Sequence, residues 1–262
     1  VTGSTFKSHT YASPYVGDIN IYTYDNFANL RGFTHAGSPT SVAGGTAAFS
    51  GGEFQKITGL KYYYSNPYAT PFVLNASYTQ IPSQMEVILP FSIECNLTGY
   101  TNQLPTTLQR ANMIGHGYGD IADIPSSLID FRLNYSSISG NVSNMNTPNL
   151  QALLLYGDDT ISGDTSGFPS SLNYISLIDH NTISGDTSGL PKATQTAYLT
   201  SVGLKPAITI YGYNTISGDT SSFDEPLDRL DIGGYNTVSG DTSGFPNTCL
   251  LYTSPSPRDA TL

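Results

Sequence analysis

The sequence predicts a solenoid: short coils stacked side by side, with a parallel β-sheet on one face, turns and extended chain on the other, and little helix. Three observations lead there. A phrase close to NTISGDTSGFP stands at four places, starting at Asp159, Asn181, Asn214 and Asn236. The glycines at its centre belong to a longer series, at positions 99, 119, 140, 163, 185, 218 and 240, spaced 20 to 23 residues apart except for one step of 33. Apolar residues keep a fixed place within each unit. A unit of this length that recurs at a constant period buries its apolar face only by stacking on its neighbours.

Each element of the unit has a physical reason. In FPSSLNYISLIDHNTISGDTSG the apolar positions are Leu172, Ile175, Leu177 and Ile183. The neighbouring units repeat them as Leu150, Leu153, Leu155 and Ile161, then Ile208, Ile210 and Ile216, then Leu227, Leu230, Ile232 and Val238. Alternation with period two around I-x-L reads as a short strand. The polar stretch that follows is poor in helix formers and rich in turn formers, so it reads as turn and extended backbone. Asn181, Asn214 and Asn236 stand where the strand ends, with amides able to satisfy backbone groups as the chain turns inward. Gly163, Gly185, Gly218 and Gly240 supply a backbone conformation or a close approach that a side chain would block. A column of aspartates, Asp164, Asp186, Asp219 and Asp241, reads as turn caps, with a bound cation as the alternative.

The unit resembles the leucine-rich repeat family, whose L-x-x-L-x-L-x-x-N-x-L is nearly what stands here. LPTTL at 104–108, IPSSL at 124–128 and FPSSL at 168–172 resemble the opening of short bacterial or phage-type repeats of about 22 residues. The match is clear over 82–247 and weaker back to about 27. The three asparagines fall one place later than the family pattern puts its Asn. That leaves open a bulge before the Asn or a right-handed parallel β-helix.

Along the chain, 1–26 is an uncertain N-terminal segment, 27–95 degenerate repeats with a Tyr-rich insertion near 60–72, and 96–248 regular repeats with an insertion near 192–206. Residues 249–262 match no unit and resemble a translated sequencing adapter; the expectation is a disordered artefact, a Cys249 that is no biological thiol, and further units in a longer parent protein.

Charged residues make up 11% of the chain against about 25% ordinarily, and the net charge is -10. An acidic, Lys-poor surface has no footprint for a phosphate backbone, which argues against nucleic acid. No apolar run reaches the length of a membrane span. The four histidines are scattered, no phosphate loop, nucleophile elbow or metal-ligand spacing occurs, and no cofactor or metal is expected. The acids of the strand face stand in different columns, so a pair flanking a glycosidic bond is not expected, nor is catalysis.

Recognition is the better reading. Outward strand positions Arg132, Tyr156, Tyr174, Asp179, Tyr211 and Asp231 differ from coil to coil, as on a constant scaffold with a variable surface. Tyrosine offers a large contact area with a polar tip. The LKYYYSNPYATPF stretch sets Tyr62, Tyr63, Tyr64 and Tyr68 on one expected loop, either for binding or to cover an adjacent coil. The expected partner is a protein or glycan. A structural spacer or adhesin stalk, and a tailspike-like glycan-degrading β-helix, are the alternatives. An extracellular, cell-surface or virion setting follows only from these roles.

Overall fold

The computed structural model describes residues 32–35, 47–65, 72–90, 95–194, 196–223, 227–239 and 250–253. In chain order the elements are β1 Gly32–His35, β2 Ala47–Ser50, α1 Gly51–Lys56, β3 Tyr62–Ser65, β4 Phe72–Ser77, β5 Val87–Pro90, β6 Cys95–Tyr100, β7 Arg110–Ile114 and β8 Gly117–Asp120. There follow β9 Asp130–Asn141, β10 Ala152–Gly157, β11 Thr160–Asp164, β12 Tyr174–Asp186, α2 Ala197–Ser201, β13 Ala207–Asp219, β14 Arg229–Gly234, β15 Thr237–Ser239 and β16 Leu250–Thr253.

One face is a parallel sheet in the order β1-β3-β5-β7-β9-β10-β12-β13-β14-β16. Its register is the repeat itself. Leu133, Leu155, Leu177, Ile210 and Ile232 are direct partners across successive strands, and so are Phe131, Leu153, Ile175, Ile208 and Leu230. All ten are buried, so two apolar columns run through the stack. Side-chain alternation explains why the residues between them face outward.

The opposite face is built from β2, β4, β6, β8, β11, β15 and the C-terminal halves of β9, β12 and β13. Here the partners shift by two residues relative to the repeat: Ser162 pairs with Thr182 and Ser217 with Thr237. An even offset preserves alternation, and Ile161, Ile183 and Ile216 remain buried. The displaced Asn is explained by a register shift between Leu177 and Asn181, repeated between Ile210 and Asn214. That is the bulge the sequence left open.

The Asn ladder ties three coils together at Asn181 and at Asn214. Asn214 Oδ1 accepts from the Ile183 amide (2.8 Å) in the preceding coil, and its Nδ2 donates to Gly233 O (2.9 Å) in the following one. Asn181 likewise joins the Ile161 amide to Tyr211 O, and Asn236 accepts from the Ile216 amide. Buried threonines form a second ladder, with Thr165 Oγ1 donating to Asp186 O and Thr187 Oγ1 to Asp219 O. The aspartate column consists of turn caps. Asp164, Asp186 and Asp219 accept from the amides of Ser166, Ser188 and Ser221, and each opens a 3-10 turn. Bonds from Ser166 hold the Asp164 carboxyl below the usual aspartate range, and bonds from Ser188 do the same for Asp186. The glycines make room for these caps: a Cβ on Gly185 would stand 2.6 Å from Asp164 Oδ2. Gly240 and Asp241 lie outside the described residues.

In the coil of β10 and β11 an aspartate replaces the ladder Asn. Asp159 accepts from the Ile138 amide and from Ser136 Oγ, both at 2.8 Å, and is fully buried. Burial raises its pKa above the ordinary aspartate value, against the pull of those two bonds, and Asp179 and Asp158 add to the rise. A raised folded-state pKa contributes stability below the ordinary aspartate pKa that is lost as pH rises through the folded value. Asp159→Asn is therefore expected to raise the melting temperature at pH 7 by a few degrees, with the gain shrinking toward pH 4. Thermal melts of both proteins across that range check it.

Two sequence expectations change here. In the Tyr-rich stretch near 60–72, expected to be an insertion, Tyr62–Ser65 is a strand of the main sheet, paired with β1 and β5, and 66–71 lie outside the described residues. Tyr63 faces the core, fully buried and edge-on to Phe54 at 5.6 Å, so it cannot serve a binding loop. Residues 250–253, expected to be disordered tail, instead form β16 in register with β14, Leu230 opposite Leu251.

Candidate functional site

The outward column next to the buried leucines changes chemistry at nearly every step. From β7 to β14 it reads Asn112, Arg132, Leu154, Ser176, Thr209 and Asp231. The apolar member of that series is Leu154, and it is covered by the chain itself. The 33-residue step carries α2, which folds back across the sheet. Leu199 is fully buried there against Ala152 and Leu154, with Tyr156, Tyr174, Tyr198 and Leu204 packed around it.

Polar groups fix the insertion in place. Thr196 caps α2 by accepting from the Leu199 amide, and its hydroxyl donates to Gln151 Oε1 at 2.7 Å. Tyr198 donates to Asp130 Oδ2 at 2.5 Å, and the Arg110 guanidinium lies 5.4 Å from the Tyr198 ring centroid. Asp130, only 1% exposed, accepts from Nε and Nη2 of Arg132, each at 2.7 Å. A buried carboxylate needs such pairing. Burial, reinforced by the Asp130 charge, pushes the Tyr198 phenol well above its ordinary pKa, and burial does the same for Tyr174. Beside α2 an open depression is lined by Ile129 and Pro148 together with the polar Asn149, Gln151, Ser171, Asn173 and Thr196.

A second network lies beyond the insertion. Tyr211 donates to Asp231 Oδ2, which also takes a bond from Arg229 Nη2 at 2.7 Å. Burial, then the Asp231 bond, raises the Tyr211 pKa. At the other end of the sheet Tyr62 donates to Glu86 Oε2, and Glu86 pairs with Lys61.

Thus Arg132, Tyr156 and Tyr174 surround α2, Tyr211 and Asp231 form a neighbouring pair, and Tyr62 and Tyr64 stand on β3, away from both. Asp179 is not on the strand face. It sits exposed in the bulge with φ of 109°, because the bulge breaks the alternation on which its assignment relied. Tyr68 lies outside the described residues. The sequence reading missed Arg110 and Tyr198, and counted Asp130 among the strand-face acids without its role in holding α2; the available signal was the apolar Leu154 at an outward position, which needs a cover.

Asp130 and Asp231 are separated by four strand steps, about 19 Å at the usual spacing, and each is engaged by an arginine. Among the described residues no three His, Cys, Asp or Glu gather as a metal group, and no helix is long and apolar enough to cross a membrane.

No known protein family matches the chain, and no curated protein matches it. Solved structures do. The plant peptide hormone receptor RGFR1, in complex with RGF2, is 15% identical over 74% of this chain and 34% of the receptor chain, with a TM-score of 0.41. The LRR ectodomain of the membrane receptor kinase GASSHO1/SCHENGEN3 from Arabidopsis thaliana, in complex with CASPARIAN STRIP INTEGRITY FACTOR 2, is 14% identical over 76% of this chain and 30% of that one, with a TM-score of 0.42. A plant ice-binding protein is 16% identical over 74% and 73% of the two chains, with a TM-score of 0.38. This chain spans about a third of the length of the two receptor chains.

Proposed function

We propose that this chain is a non-catalytic recognition module, a short-repeat solenoid of leucine-rich-repeat type that binds a protein or glycan through its front sheet and the ridge made by α2. The observation that carries this reading is the contrast between adjacent columns. The inward one is Met, Leu or Ile in coil after coil, while the outward one runs through amide, guanidinium, one apolar Leu154, hydroxyl and carboxylate, with Ser176, Thr209 and Asp231 sunk between larger neighbours such as Tyr156, Tyr174 and Tyr211. Stacking alone does not require that diversity. The wide separation and arginine pairing of Asp130 and Asp231 support binding rather than hydrolysis.

Screening the full chain against glycan and peptide arrays tests it. Tyr156→Ala and Tyr211→Ala should each weaken the best hit by about tenfold, corresponding to about 1.4 kcal/mol. A hit untouched by every front-sheet variant, or turnover of a polysaccharide, would overturn the reading. The uniform back of the solenoid, with its Thr, Ser and Asp ladders, supports a second reading as a rigid spacer. It predicts no array hit, with stability that grows as coils are added.

A further inference from the structure

The residue immediately before each ladder position forms a column of its own. In successive coils it is His116, Tyr135, Asp158, His180, Tyr213 and Tyr235, and all six are exposed. Tyr135, Tyr213 and Tyr235 leave 64%, 57% and 64% of their surface in solvent, the largest exposures among the described bulky apolar residues. Two pairs of rings meet along the column, His116 with Tyr135 at 6.3 Å and His180 with Tyr213 at 6.2 Å, with Asp158 between the pairs, and His116 also stacks on Tyr118 at 6.4 Å.

These rings do nothing for the core, since the ladder residues beside them already close the corner. Two residues further along, on the same side, Tyr118, Ser137, Thr160, Thr182, Thr215 and Thr237 present exposed hydroxyls. An aromatic ribbon and a hydroxyl ribbon therefore run side by side across the coils. The only formal charge in the two ribbons is Asp158.

We infer that this corner is a second binding surface, and that it takes a neutral polysaccharide chain laid across the coils. Ring faces stack on the apolar faces of sugar rings, and the adjoining hydroxyls bond the sugar hydroxyls. Charge decides against an anionic polymer, because the protein carries -10 and the ribbons hold no Lys or Arg. Shape decides against a protein partner. A stable protein interface buries about 800 Å² on each side, whereas this surface is two residues wide and six coils long, the footprint of a linear chain. The inference rests on the recognition reading, because its partner is held and not cleaved, and it places that partner outside the front sheet.

Affinity electrophoresis of the full chain in gels containing mannan or hydroxyethylcellulose tests it. Wild-type protein should be retarded by at least one of these polymers. The triple variant Tyr135→Ala, Tyr213→Ala, Tyr235→Ala should lose about tenfold or more in affinity, while melting as wild type does. Phenylalanine at the same three positions should keep most of the binding, since the rings remain. Absence of retardation, or a triple alanine variant that binds like wild type, overturns the inference. Retardation lost in Tyr211→Ala but kept in the triple variant also overturns it, while leaving recognition by the front sheet standing.

Discussion

Gly212→Ala should destabilise the solenoid by about 3–5 kcal/mol, in the range reserved for a structure with no way to relax. A Cβ at this position would stand 2.3 Å from Asn181 O, 2.5 Å from Asn181 N and 2.6 Å from Asp179 O. All three are backbone atoms of the neighbouring strand, so no side-chain rotation relieves the collision. Gly212 also adopts φ of 143°, which a side chain disfavours. Gly203→Ala separates the two effects. Gly203 has φ of 71° but nothing within 4 Å of its would-be Cβ, so only the conformational cost applies, about 1 kcal/mol. Urea unfolding followed by far-ultraviolet circular dichroism gives both values. Equal losses at the two sites would show that the strands do not approach as closely as Gly212 requires.

Asn214→Ala should cost a similar amount, about 3–5 kcal/mol, by a different route. Alanine leaves the Ile183 amide without its acceptor and Gly233 O without its donor, and a buried unsatisfied group costs about 1–3 kcal/mol. Because Asn214 joins the coil before it to the coil after it, the loss should spread in both directions. Hydrogen exchange at the Ile183 amide in the coil before and the Tyr235 amide in the coil after reads that spread, and protection unchanged beyond the mutated coil would refute it. Asn214→Asp keeps the acceptor but introduces a buried carboxylate, as Asp159 does naturally. Its instability should ease as pH falls and the carboxyl takes up a proton.

Much of the architecture was legible because stacking demands repetition: a column of core side chains must reappear in the sequence at the period of the coil. Leu155, Leu177, Ile210 and Ile232 showed their alignment before any coordinates. Three features were harder to read. In Tyr62-Tyr63-Tyr64 the alternation is silent, since one amphipathic residue fills both faces and the strand resembles a loop. Around Asp179 the bulge adds a residue, so counting by twos assigns it to the wrong side. The docking of α2 depends on contacts remote in sequence, Tyr198 with Asp130 above all, and an 11-residue insertion has no period to betray its destination. The corner aromatics were readable as the residue before each Asn, but only the exposure of Tyr213 and Tyr235 shows that the core does not need them.

The Asn rungs also bear on how such a gene changes length. Because the amide of one coil takes its bonds from like positions in the coils on either side, a block of 22 codons copied in frame brings its own donors and acceptors to each new junction. Slippage during replication can then lengthen or shorten the array while the Asn bonds at the splice are remade, and the coil bearing α2 resists copying, since a second helix would need its own Asp130.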